Sequence, residues 1–475
     1  TANVALGLQA LTNNTTASNN VAVGYQALYT NTTGTRNTAI GGNVLDANTT
    51  GAFLTAVGWG ALGANITGAS NSSFGDASLV NNTSGSENTA VGQGALYANT
   101  TANYNTALGR QALFDNTTGA TNTAIGRDAL RKNTTASQNT AAGYQAAYSN
   151  TTGSSIAALG YQSLYSNTDG LRNNAFGQAS LYSNTSGDDN TSLGHAALYS
   201  NTTASNNTAV GSNALRLNTT GAANVALGRE ALYSNTTASN NTAVGYQAGY
   251  TTNGDNGTFV GYLAGRNNTA NNTVFIGYQT GYNNTGSANT AVGFLSFNAN
   301  TSGTANTALG RESLKANTTG VNNIAIGYQP LLVNTTGSQN ISLGTNSLLN
   351  NIVGSDNIAV GVNALRFNTA SSNVAMGRDA LYSNTTASEN TAVGYTSLDA
   401  NTTGTGNTGL GYQSGSANTT GGANTFIGRN AGLLNTTSSN NTYVGRSCGH
   451  NATGANNSAL GQSALYNTTG ANNSA

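Results

Sequence analysis

Groups able to do chemistry are scarce in this sequence, and their spacing keeps them apart. There are two histidines, His195 and His450, one cysteine, Cys448, and 15 acidic residues against 15 basic ones. Acid–base catalysis needs a titratable side chain within hydrogen-bond reach of a partner, and a zinc-type site needs clustered Cys and His. The sequence offers neither. Asp188, Asp189 and Asp255 stand in polar segments typical of turns. Paired carboxylates for glycoside cleavage would have to recur at one position in neighbouring repeats, and they do not. The aspartate-rich nonapeptide of calcium-binding β-rolls is missing. Gly41-Gly42 and Gly421-Gly422 lack the strand–loop–helix context of a phosphate loop. Cys448 takes the place of a small alanine in its repeat, and a single cysteine builds no disulfide framework. The sequence therefore predicts no catalysis, no cofactor and no metal.

What must position every side chain is one short unit, N-[T/V]-A-[V/I/L]-G. It recurs from Asn3-Val4-Ala5-Leu6-Gly7 to Asn457-Ser458-Ala459-Leu460-Gly461, in 28 copies spaced by 17 residues or, in a few cases, 16. A fixed short period marks a solenoid. The expected fold is all-β, a parallel β-solenoid or β-roll of about 28 coils, continuous over residues 1–475. Because the pattern starts and stops in mid-repeat, the chain reads as a fragment of a longer one. At roughly 4.8 Å per coil, His195 and His450 would lie about 70 Å apart and could not share a site.

Each repeat is numbered here from its Asn, positions 1 to 17, as in Asn207 to Ala223. Positions 2–4 and 7–10 are β-compatible runs separated by the glycine at position 5, and an Asn-Thr-Thr-Gly segment closes the turn. A helix has no room in such a unit. Position 3 is Ala in most copies and position 9 is Leu in most. Aromatic residues enter position 3 at Phe259, Phe275, Phe426 and Tyr443, and glycine enters position 9 at Gly249, Gly265, Gly281, Gly415, Gly432 and Gly449. Every one of the four aromatics lies in a coil whose own position 9 is glycine and follows a coil that also has it. Since dense interiors accept only volume-conserving exchanges, positions 3 and 9 are expected to touch inside the coil.

If position 3 points inward, alternation sends position 4 outward. Position 4 is nonetheless large and apolar in every copy except Ala142. Val23, Ile40, Val57, Val91, Ile125, Val210, Val244, Ile326 and Val393 belong to this column. An aliphatic column on the outside of a coil asks for a partner, so other copies of the chain are expected against it. Charged residues make up 6% of the chain and the net formal charge is zero, which leaves no basic stripe for nucleic acid. No run of apolar residues is long enough to cross a membrane.

The unit N-[T/V]-A-[V/I/L]-G resembles N-[S/T]-x-A-[I/V]-G-x-x-[S/A], the repeat signature of the head domains of trimeric autotransporter adhesins, the YadA-like heads, and related repeats of chaperone-terminated bacterial and phage fibres. The resemblance is carried coil after coil by stretches such as Asn122-Thr123-Ala124-Ile125-Gly126-Arg127-Asp128-Ala129 and Asn390-Thr391-Ala392-Val393-Gly394-Tyr395-Thr396-Ser397. It implies a left-handed roll, three chains around one axis with the aliphatic column inward, and an extracellular or cell-surface role. The family repeat is shorter, so the Asn-Thr-Thr-Gly segment would be an enlarged outer loop.

The expected function is that of a stiff structural shaft or head of an extracellular fibre, a homotrimer or bundled fibre attaching by polyvalent contacts to glycans or a host surface. A phage tail-fibre shaft is an alternative. So is an ice-binding solenoid, although the usual Thr-x-Thr rank is lacking. Asn-Thr-Thr, as at Asn235-Thr236-Thr237, is formally a glycosylation acceptor, but a stacked corner favours asparagine ladders instead. Tyrosines at positions 6 and 10, such as Tyr246 and Tyr233, form either an exposed aromatic ladder or amphipathic cover for the coil edges.

Overall fold

The computed structural model describes residues 2–475. They form two compact units, Thr1–Asn240 and Asn241–Ala475, and each is an all-β parallel solenoid without a helix. The first runs from strand β1 (Val4–Leu6) to β14 (Val225–Leu227), the second from β15 (Thr242–Val244) to β28 (Ser458–Leu460). Each coil contributes one strand of three residues, positions 2 to 4, paired in register with its neighbours. Thr106, Ala107 and Leu108, for example, face Thr123, Ala124 and Ile125. Thr and Val favour the pleat, and the alternation buries position 3 while turning positions 2 and 4 outward, as at Thr123–Ile125.

The structure corrects the second β-compatible run. Positions 7–10 form tandem turns in which positions 7 and 9 adopt left-handed φ, as at Gln111 (57°) and Leu113 (51°); position 17 does the same, as at Thr121 (57°). The alternation reverses successive peptide planes, so that neighbouring amides point opposite ways along the coil axis. Gly126 N and Asp128 N donate back to Leu108 O (2.7 Å) and Arg110 O (3.0 Å), whereas Leu113 N and Asp115 N donate forward to Ala129 O (3.0 Å) and Arg131 O (2.9 Å). Backbone polar groups must be paired once buried, and this zigzag pairs them without a second strand. Pro330 stands at position 8, where the amide makes only a long bond within its own coil, as from Ala112 N to Gly109 O (3.3 Å). The Pro330 carbonyl still accepts from Leu314 N (3.1 Å).

Two buried asparagine columns hold the coils together. At position 12, each Nδ2 donates to the Oδ1 of the preceding coil and to a carbonyl three residues on; Asn82 bonds Asn65 Oδ1 (2.8 Å) and Gly85 O (2.9 Å). At position 1, the backbone amide donates to the preceding Oδ1, as from Asn105 to Asn88 (2.9 Å), and the side-chain amide of Asn105 reaches Gly119 O (2.9 Å). All the six 16-residue coils fall in the second unit, and the missing residue comes from this corner. Asn284 reaches Gly286 O (2.7 Å) across two residues, where Asn184 reaches Gly187 O across three. The column also has breaks there: Ala452 replaces the next asparagine, and the Oδ1 of Asn435 is left buried without a partner.

The hydrophobic core is thin, built from Ala at positions 3 and 8 and Leu at position 9. Phe426 is fully buried between Gly415 and Gly432, and a Cβ on either glycine would run into its ring. Phe275 fills the place opposite Gly281, where an added Cβ would come 2.6 Å from Cγ. Tyr443 lies against Gly449, and Phe259 against Gly265 with its tip over Gly257. Gly249, with φ of 58°, has the same left-handed backbone as the leucines of that column. Phe297, buried at position 9 with its ring 6.4 Å from Phe275, extends the aromatic string from the leucine column.

Phe426→Ala is expected to cost about 3–5 kcal/mol, as a void opens between two glycines that cannot fill it. The double variant Phe426→Ala/Gly415→Leu, which leaves Gly432 in place beside the next coil's Tyr443, refills one side of the void and should recover part of that loss in chemical denaturation. A double variant no more stable than Phe426→Ala alone would refute the exchange of volume.

Candidate functional surface

The rare titratable groups are dispersed, as the coil positions require. His195 is exposed at position 6. His450 stacks on Tyr466 (4.8 Å) and its Nδ1 lies 2.6 Å from Asn451 Oδ1. Asp189 forms an exposed pair with Arg172 (2.6 Å), which holds its carboxyl below the usual range, while Asp188 Oδ1 accepts from Leu171 N (2.7 Å). Asp255 sits in an exposed corner, its backbone amide donating to Asn271 Oδ1 (2.8 Å). Cys448 is buried, its thiol directed at Ala459 O (3.4 Å) and its pKa pushed up by burial. Among the described residues no three His, Cys, Asp or Glu side chains are grouped to hold a metal ion.

What the coils do present is a set of straight columns. The outer face of the strands carries position 2, usually Thr, beside position 4. The larger position-4 side chains are exposed, with Ile40 at 41%, Leu108 at 46% and Ile125 at 43%. Val23, Val57, Val91, Val210, Val244, Ile326 and Val393 are half-buried in the same column. Beside it runs position 6, where Tyr246, Tyr262, Tyr278 and Phe294 stack at 5.3 to 5.4 Å. Farther round, Tyr148, Tyr165, Tyr182 and Tyr199 stack at position 10, at 5.1 to 5.3 Å and within 7° of parallel. Arg131 lies over Tyr148 at one end and Arg216 over Tyr199 at the other. The crowding lifts the Tyr182 hydroxyl above the ordinary phenol range, chiefly through desolvation. These rings cover one another's faces and leave their edges to solvent.

Where the asparagine of Asn-Thr-Thr lies in the buried position-12 column, the corner is closed to modification in the folded coil; Asn467, at position 11, is exposed. The acceptor nitrogen of Asn99 is fully buried and donates to both Asn82 Oδ1 (2.8 Å) and Ala102 O (3.2 Å). A glycan there would break both bonds and has no space. The first threonine is also engaged, as Thr100 Oγ1 donates to Thr117 O (3.2 Å) in the next coil.

Comparison with known protein families finds no family model that matches the chain, and a search among curated proteins finds no match. Among the described residues no helix is long and apolar enough to cross a membrane.

Proposed function

We propose that this chain is the structural repeat region of an extracellular fibre or adhesin, without catalytic activity, in which three copies wind as left-handed rolls with the position-4 columns facing a shared axis. The observation that supports this is the exposed aliphatic column itself. A soluble rod that left Leu108, Ile125 and their counterparts bare on rung after rung would show water a contiguous apolar stripe, which marks an interaction surface. Its neutral charge removes the repulsion that would keep copies apart. Polyvalent attachment to a surface would then use the outward corners and aromatic columns.

The native mass of the purified chain by sedimentation equilibrium tests this. A mass of three chains is expected, and Leu108→Asp/Ile125→Asp should shift it toward the single chain by placing buried carboxylates at the contact. A wild-type mass of one chain would overturn the proposal.

A second reading, ice adsorption, has one observation in its favour. Thr89, Thr106, Thr123 and Thr140 stand outward on consecutive rungs beside Val91, Leu108, Ile125 and Ala142. This gives a Thr-x-aliphatic rank in place of Thr-x-Thr. It requires a single chain with this face free, so the same mass measurement separates the two readings.

A further inference from the structure

One aromatic column ends in a pair of guanidinium groups that the protein does not neutralise. Tyr395, Tyr412, Arg429 and Arg446 occupy position 6 on four successive coils. The two tyrosine rings stack at 5.4 Å and within 10° of parallel, and the Arg429 guanidinium lies 5.5 Å from the centre of the Tyr412 ring. Each carbonyl in this column accepts from the following coil: Tyr395 O from Gln413 N (3.0 Å), Tyr412 O from Asn430 N (2.9 Å), Arg429 O from Ser447 N (2.8 Å) and Arg446 O from Ser463 N (2.9 Å). The spacing is thus held by the backbone, at about 4.8 Å per rung. All four side chains are exposed.

Of the five other arginines at position 6, Arg110, Arg127, Arg229, Arg311 and Arg378, all but Arg110 are followed by a carboxylate at position 7. Arg127 pairs with Asp128 (3.3 Å), Arg229 with Glu230 (3.3 Å) and Arg378 with Asp379 (3.2 Å). Arg429 and Arg446 are followed by Asn430 and Ser447, and no Asp or Glu occurs after Asp399. Like charges on adjacent rungs repel, and nothing in these coils offsets the repulsion. Such a pair is set to receive an anion from outside.

We propose that Tyr395, Tyr412, Arg429 and Arg446 bind an extended acidic polysaccharide, with its carboxylate or sulfate groups on the two guanidiniums and its sugar hydroxyls along the tyrosine edges. Arginine holds such oxyanions through paired N–H donors. The straight column suits a linear polymer that advances from rung to rung. A nucleic acid fits less well, because base stacking needs open ring faces, which the column covers. Two cations also fall short of a phosphate on every nucleotide. A related column, Arg110, Arg127, Tyr144 and Tyr161, lies in the first unit, with Arg127 over Tyr144 and the two rings stacked at 5.3 Å. Asp128, held by both Arg127 and Arg131, makes it the weaker site. The inference does not depend on how many chains associate.

The test is binding of the full chain to immobilised heparin and polygalacturonate, with dextran as the neutral control and oligothymidylate as the competing polyanion. Both acidic polysaccharides should bind and dextran should not. Arg429→Gln/Arg446→Gln should weaken binding about tenfold, the order expected for losing charged hydrogen bonds, and should flatten its salt dependence. Arg429→Lys/Arg446→Lys should fall between, since it keeps the charge and loses the paired donors. The side chains are exposed and the ladder bonds are backbone bonds, so the variants keep the fold, which circular dichroism checks. Binding by the Gln variant within about twofold of wild type, equal binding of dextran, or stronger binding of oligothymidylate than of heparin would each overturn the assignment.

Discussion

Alanine at Gly92 is expected to cost about 4 kcal/mol or more, the largest loss from adding one methyl group to this chain. Gly92 has φ of 128°, a region that L-residues with a side chain hardly enter. A Cβ there would lie 2.6 Å from both the carbonyl carbon and the oxygen of Gly109. Gly109 cannot withdraw, because its own amide is tied to Val91 O (2.8 Å). Strain and overpacking therefore add, and the damage should appear in the adjoining coils first, since each coil contacts its neighbours. Amide hydrogen exchange would show lost protection around residues 89 to 109, with protection kept in distant coils. Gly60→Ala is the control. Gly60 is left-handed (φ 65°), but its nearest neighbour to a new Cβ is Val80 Cγ2 at 3.9 Å, and alanine already stands at this position in Ala77 and Ala179. It should change stability by less than about 1 kcal/mol. Equal effects of the two substitutions would refute this account of the glycine column.

The second large effect is expected from Asn133→Asp, which changes no volume. Asn133 Nδ2 donates to Asn116 Oδ1 (2.8 Å) and Ala136 O (2.9 Å), and its Oδ1 accepts from Asn150 Nδ2 (3.0 Å). A carboxylate keeps the acceptor and replaces the donor by an oxygen facing two oxygens, in a site with no cation. The loss should reach about 3–5 kcal/mol at neutral pH. Burial and oxygen–oxygen repulsion both favour the protonated acid, so its folded pKa lies above the unfolded value. The neutral acid can donate one of the two bonds. Stability relative to wild type should therefore be best at low pH and fall as pH rises through the folded pKa. Urea titrations of both proteins at acid and neutral pH would test this; a difference independent of pH, or one that grows on acidification, would refute it.

Much of this architecture was legible because packing enforces the repeat. Ala at position 3, Leu at position 9 and the Phe426–Gly432 exchange all report volume, and volume is written in residue types. The tandem turns were harder to read, because Gln-Ala-Leu-Tyr has fair β-propensity and says nothing direct about φ. The available signal was an exclusion: position 9 is Leu, Ala147, Phe297 or glycine, and never Val, Ile or Thr, as a left-handed backbone requires. Phe297 carries no sequence signal of its own, because it enters at position 9, where a large residue is ordinary. The candidate glycan site was unreadable as a motif. It depends on which coils lack a carboxylate, and that becomes visible only when residues 17 apart are seen on adjacent rungs.

The asparagine columns also bear on heredity. Every coil offers the next the same amide and the same carbonyl, so a gene that gains or loses a whole unit by slippage hands each new junction a ready fit. A change of one residue is tolerated at the corner, where the shorter coils have lost theirs, but in a strand it would turn that coil's inward alanine to the outside. Copy number is therefore the dimension in which such a sequence can vary most freely.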